Sequence, residues 1–164
     1  QLGLLRRLLG DQIRTVSRKN LVKGRKFSEM LNDALTRYTN RSLTTAEIIA
    51  ELVSLAKDMR ADRERAQQLG LSDAEIALYD AIIQNDSAIL EMGDETLKTI
   101  ARELVATIRS SATLDWTVKE SVRARMRSRI KRLLAKYKYP PDKREQAVQL
   151  VIEQAEHLAT GEQD

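Results

Sequence analysis

Residues 44–60, TTAEIIAELVSLAKDMR, place apolar side chains at Ile48, Leu52, Leu55 and Met59. Steps of four, three and four return to one face of an α-helix, so these four form a single buried stripe. Ile49, Val53 and Ala56 stand beside them and widen the stripe toward burial. Just ahead, Thr44 and Glu47 are three apart. A threonine hydroxyl there can accept a free N–H of the first turn while the glutamate reaches back to the threonine's own N–H, so the pair marks a helix start. Beyond Met59 the sequence turns polar (RADRERAQQ) as far as Gly70. The tail of this helix is expected to protrude, held by pairs such as Asp62 with Arg65.

The same rhythm runs outward in both directions, and nothing alternates as a strand would. Leu2, Leu5, Leu8, Leu9, Ile13 and Val16 make the stripe of a first helix, interrupted by SRKNLVKGRK with Asn20 and Gly24. A second helix is expected from about Ser28, with Phe27, Leu31, Leu35 and Tyr38 on one face and Asn40 as its stop. Ser72 with Glu75 repeats the capping pair and opens a helix through Ile76, Tyr79 and Ile83. QNDSAILEMGD holds a turn, a short helical piece and Gly93. Asp94 then caps a helix with Leu97, Ile100, Leu104, Val105 and Ile108 inward. Thr117 with Glu120 is a third capping pair, ahead of a helix to about Tyr137. Pro140 and Pro141 break the chain. A last helix starts at Pro141 or Asp142, with Ala147, Leu150, Val151 and Leu158 apolar, and closes at Gly161. The expectation is an all-α fold, a single-domain bundle of six or seven helices over residues 1–164.

Composition narrows the function classes. With 164 residues, 42% apolar and 32% charged, the chain can bury a core without metal or disulfide help. It has no cysteine, which excludes disulfides and thiolate metal sites and suits a cytoplasmic protein. No apolar run approaches the roughly 20 residues that span a bilayer, so no membrane partner is expected. The chain opens at Gln1 already in apolar periodicity (QLGLLRRLLG), which reads as a piece of a longer parent.

Charge is distributed unevenly. Residues 1–26 carry eight basic and one acidic side chain, residues 27–117 nine and sixteen, and residues 118–138 nine and one. Within the last block, residues 123–132 read RARMRSRIKR. On a helical projection Val122, Met126, Ile130, Leu133, Leu134 and Tyr137 form the core face. Ser121, Ala124, Ser128 and Ala135 lie opposite, as a strip of small residues. Arg127, Lys131 and Lys138 border one margin of the strip; Arg125, Arg129, Arg132 and Lys136 border the other. Such a face is either a solvated helix surface or a contact surface, in which small side chains admit a partner's backbone and the cations reach its anions. The absence of acids on it favours contact. The anions could be those of duplex DNA or of an acidic protein surface. Nothing here forms a helix-turn-helix, a zinc finger or an aromatic stacking platform.

Catalytic constellations are thin. His157 is the only histidine; with Glu153 it could make half a metal site, but the second half is missing, so a solvated histidine near a helix end is expected. Glu47 with Glu51, and Asp58 with Asp62, share helix faces, yet they sit on polar faces and not in a cleft that would shift their pKa values. There is no glycine-rich phosphate loop and no nucleophile elbow. Trp116, just before Thr117, reads as a hydrophobic staple or core anchor, with a binding hot spot as the lesser alternative. In KYKYPP, Tyr137 falls on the core face and Tyr139 is free to pack under the proline pair.

Taken in order, RKNLVKGRKFSEML, Tyr38 with Asn40 and Arg41, ELVSLAKDMR, LGLSDAEIALYDAI, DWTVKESVRARMR and KRLLAKYKYPPDKREQAV resemble the C-terminal helical domain of the restriction (R) subunit of type I restriction–modification enzymes. The resemblance runs from about Leu4 to Glu156. One departure is Lys138, where glycine is expected before the YPP turn. The resemblance implies a parent that is an ATP-dependent DNA translocase and endonuclease, with a nuclease domain and two helicase-like lobes. None of their motifs is present here, so no catalytic residue is carried over, and no cofactor or enzyme activity is expected of this chain. It further implies a domain that docks the motor onto the methyltransferase and specificity subunits. The expected contact residues are Arg125, Arg127, Arg129, Lys131, Arg132 and Lys136, with binding to the backbone of duplex DNA as the alternative.

Overall fold

The computed structural model describes residues 1–110 and 119–161. Among these residues there are eight helices and no strand: α1 (Leu2–Lys19), α2 (Leu21–Thr39), α3 (Thr45–Gln68), α4 (Asp73–Ile82), α5 (Asp86–Met92), α6 (Asp94–Ser110), α7 (Lys119–Lys136) and α8 (Arg144–Gly161). The count exceeds the expected six or seven because the piece in QNDSAILEMGD is a helix of its own. Asn85 caps it by accepting from the Ser87 N–H at 3.0 Å, and Gly93 ends it at φ 76°, a backbone turn glycine makes without steric cost. Contacts group the chain into two compact units, one of residues 1–18 and 23–70, the other of residues 19–22 and the chain from Leu71 onward.

The first unit holds most of α1 and α2 together with α3. Its core is Leu9, Ile13, Phe27, Leu31, Ala34, Ile48, Leu52, Leu55 and Met59. Both reciprocal bonds of the Thr44–Glu47 capping box form, at 3.1 Å each. Two side chains assigned inward by periodicity are not buried: Leu8 is 51% exposed and Val53 40%. Each lies at the rim of its helix's stripe, one step beyond what the neighbouring helices cover. The helix break falls at Asn20, and α2 starts at Leu21 rather than near Ser28. Gly24 lies inside α2 because a Cβ there would collide with Ser17 of α1; glycine admits the close approach. The polar tail of α3 stays helical to Gln68. Asp62 there is largely covered, pairing with Lys23 Nζ at 2.8 Å and with Arg65 at 3.3 Å. Arg37 grips Glu51 through two bonds of 2.7 and 2.5 Å, so Glu51 serves ion pairing while Glu47 caps the helix.

In the second unit α4 packs against α6 and α8, α7 against α8 and α6, and α5 against α6. Leu78, Ile82, Leu97, Ile100, Leu104, Met126, Ile130 and Leu134 are fully buried or nearly so, and Val148, Val151 and Ile152 of α8 complete the core. The turn between the first two helices also belongs to this unit. Gln154, fully buried, accepts from the Leu21 N–H at 2.8 Å and donates to the Lys19 carbonyl at 3.1 Å. Beside it Asn20 donates to Asp80 at 2.8 Å, both side chains buried. These bonds satisfy backbone groups that helix ends leave unpaired.

The stop after α7 resolves the oddity at Lys138. Its φ is 57°, Lys138 N–H bonds the Ala135 carbonyl at 3.0 Å, and Tyr139 N–H bonds the Leu134 carbonyl at 2.9 Å. This is a Schellman stop, whose first residue past the helix is left-handed and favours glycine. Tyr139 then buries completely, donating its hydroxyl to the Ile82 carbonyl at 2.6 Å. α8 begins at Arg144, after Lys143 at φ 58°, and not at Pro141 or Asp142. Trp116 and Thr117 lie outside the described residues.

Candidate interaction surface

α7 divides lengthwise into three parts. Val122, Met126, Ile130 and Leu134 face the core, with Leu133 and Tyr137 half-buried beside them. Ser121, Ala124, Ser128 and Ala135 are exposed, as projection requires of the opposite side.

Between these faces, the cations divide by what the neighbouring helices offer. On the α8 side, Arg123, Arg127 and Lys131 are one turn apart and meet an antiparallel row of acceptors. Arg123 pairs with Glu156, Arg127 bonds Gln149 at 3.2 Å and reaches Glu145 at 3.7 Å, and Lys131 reaches Glu145 at 2.9 Å. The Lys131 ammonium, its own charge and that of Arg127 hold the Glu145 carboxyl below its ordinary range. Glu145 remains well exposed, so solvent screens these pairs and they add little to stability. Arg127 and Lys131 are thus held loosely within the chain.

On the other side, Arg125, Arg129, Arg132 and Lys136 follow steps of four, three and four and form one straight outward row. At 1.5 Å per residue it runs about 16 Å. Arg125 and Arg132 are exposed and have no ion pair or hydrogen bond among the described residues. Arg129 is exposed and carries an interaction. Lys136 lies 3.8 Å from Glu103 and 5.3 Å from the Tyr137 ring centre, with 65% of its side chain still in solvent. Glu103 also accepts the Tyr137 hydroxyl. The six residues singled out by sequence therefore lie on one helix but face two surroundings.

Other candidate chemistry is dispersed or engaged. Among the described residues no three histidine, aspartate or glutamate side chains gather as metal ligands. His157 is half-buried and engaged rather than solvated. Helical spacing could not anticipate this, because it depends on what packs beside α8. Glu47 is a capping residue, held below its ordinary range by the Thr44 backbone N–H. No described helix is long and apolar enough to cross a membrane.

Residues 1–161 match a family described as type I restriction enzyme HindI endonuclease subunit-like, C-terminal. The chain is 44% identical over 155 residues to the type I restriction enzyme HindI endonuclease subunit of Haemophilus influenzae, an alignment covering 94% of this chain and 15% of that protein. It is 35% identical over 136 residues to the putative type I restriction enzyme MjaIXP endonuclease subunit of Methanocaldococcus jannaschii, covering 81% of this chain and 13% of that one. No solved structure matches.

Proposed function

Because this chain belongs to the family of C-terminal parts of HindI-like type I restriction endonuclease subunits, we propose that it is a non-catalytic assembly domain, docking such a subunit onto the methyltransferase core of its complex. The observation that carries this reading is the outward row of Arg125, Arg129, Arg132 and Lys136 beside small residues. The α8-facing cations have carboxylates within reach, whereas Arg125 and Arg132 have none among the described residues. Guanidinium groups set along a narrow strip fit carboxylates on a partner's surface. Arg127 and Lys131, released from Glu145 at small cost, would extend the same contact.

The second reading is a clamp on the backbone of duplex DNA, which the same cations favour. Titration separates the two. Four phosphate contacts give a slope of log affinity against log salt near about −3.6, from roughly −0.9 per contact. A protein interface gives a shallower slope and depends on apolar anchors. The test is titration of this chain against purified methyltransferase core and against a short duplex, each at two salt concentrations. Replacing Arg125, Arg129 and Arg132 by Glu leaves the core stripe untouched. We expect it to weaken core binding more than tenfold with unchanged helicity. Full-strength binding by that variant refutes the role.

A further inference from the structure

The outward face of α7 carries a row of cations and, beside it, a line along which another helix can lie. Arg125, Arg129, Arg132 and Lys136 are all exposed. Arg125 and Arg132, seven apart, have no ion pair or hydrogen bond among the described residues. Next to this row Ser121, Ala124, Ser128 and Ala135 are exposed in steps of three, four and seven. Those are the steps by which one helix packs lengthwise on another. Side chains this small let two helix axes approach to about 8 Å, the near end of the usual range. The larger side chain that falls on the same rhythm is Lys131, and it is drawn aside to Glu145 at 2.9 Å. From Ser121 to Ala135 the seam runs about 21 Å, nearly four helical turns.

Charge flanks the seam unequally. On the α8 margin Glu145 already offers a carboxylate to Arg127 and Lys131, and that carboxylate stays 68% exposed. The outward margin carries the heavier demand for anions. α8 shows the form in which α7 takes acids: an antiparallel helix, whose Glu156 and Glu145 meet Arg123 and Lys131.

We infer that the outward face of α7 receives a single helix of a partner subunit, small along its contact line and bearing carboxylates along the margin that meets Arg125, Arg129, Arg132 and Lys136. The inference rests on the docking reading above and names the form its counterpart takes. Charges flanking a helical seam select which helix binds and in which direction. A duplex fits less well: its phosphates are spread over its whole surface and would meet the exposed Glu145 as well as the arginines, whereas a helix can turn its acids toward one margin. The α7 face of a second copy fits less well too, because it is itself cationic and would repel.

Two synthetic peptides of one composition, stapled to stay helical, provide the probe. One has an alanine seam with glutamates beside it in steps of four, three and four; the other scatters the same glutamates around the helix. Fluorescence anisotropy should show the first binding this chain at least tenfold more tightly. Equal affinities overturn the inference, as does tighter binding of a short duplex than of the matched peptide. Ala124→Gln with Ser128→Gln fills the seam without removing a cation, at two exposed positions where glutamine suits a helix. The melt should hold, while binding to the matched peptide and to the methyltransferase core each falls at least tenfold. If core binding survives this variant yet is lost on replacing Arg125, Arg129 and Arg132 by Glu, the helix is overturned and the docking reading stands. If the natural chain does not bind the core at all, the docking reading falls and this inference with it. In the whole endonuclease subunit, Ser128→Cys should take a maleimide label, located by mass spectrometry, and lose it when the core is added. Shielding of that site in the subunit alone overturns the inference, because the rest of the subunit then covers the face.

Discussion

Replacing Gln154 by Leu removes two hydrogen bonds while nearly preserving volume. Gln154 is fully buried and holds the Leu21 N–H at 2.8 Å and the Lys19 carbonyl at 3.1 Å. Leucine leaves both backbone groups unsatisfied, and each such group costs about 1–3 kcal/mol. Part of that is offset because a fully buried apolar side chain replaces a buried amide. The net expected loss is about 2–4 kcal/mol, and at about 2–4 °C per kcal/mol for a chain of this size the melting temperature should fall by roughly 5–15 °C. Circular dichroism melts and urea titrations measure it, and hydrogen exchange should show the Leu21 amide losing protection first. Gln154→Glu should be worse at neutral pH, because a carboxylate cannot donate to the Lys19 carbonyl. It should recover partly in acid, where the protonated form can. A Gln154→Leu variant within about 0.5 kcal/mol of the natural chain would refute the reasoning that this amide anchors the first helical turn.

Lys138→Gly should stabilise the chain by about 0.5–1 kcal/mol, since the left-handed backbone at φ 57° costs lysine more than glycine; unchanged urea unfolding would count against the Schellman stop. Ile130→Asp places an unpaired carboxylate at a fully buried site and should abolish the cooperative melt. In acid, Glu47, Asp94 and Glu145 all bind protons less tightly folded than unfolded, held by the Thr44 backbone, the Tyr79 hydroxyl and Lys131 respectively. Their contribution is present at neutral pH and should disappear as pH falls below their ordinary values of 4.5 for Glu and 3.8 for Asp. In alkali, burial pushes Tyr139 up to about 12, so its contribution is intact below its ordinary value of 10 and is lost as pH climbs from there through 12. Urea midpoints across pH 3 to 12 should trace both declines.

Much of the fold was legible because its signals are local. The buried faces of α3, α6 and α7 follow from helical spacing alone, and two capping boxes, at Thr44 and Ser72, form as read. Family likeness was legible too, in ordered phrases rather than single motifs, and the family match bears it out. What escaped depends on neighbours that one helix's spacing does not reveal. Leu8 and Val53 look inward on a wheel yet stay exposed among the described residues. Gln154 and Asp80 look like ordinary polar positions until residues distant in sequence come within bonding distance. The basic helix was recognised as a whole. Its division depends on Glu145 and Gln149 of α8, whose alignment with Arg127 and Lys131 only packing fixes.

Residues 19–22, where α1 ends and α2 begins, count with the part of the chain that starts about fifty residues later. A gene cut near codon 70 would therefore not yield two clean products. The downstream piece would keep Asp80 and Gln154 while losing Asn20 and the backbone they hold. Shuffling either half between related proteins would break the same stitch, so the whole segment has to travel as one cassette.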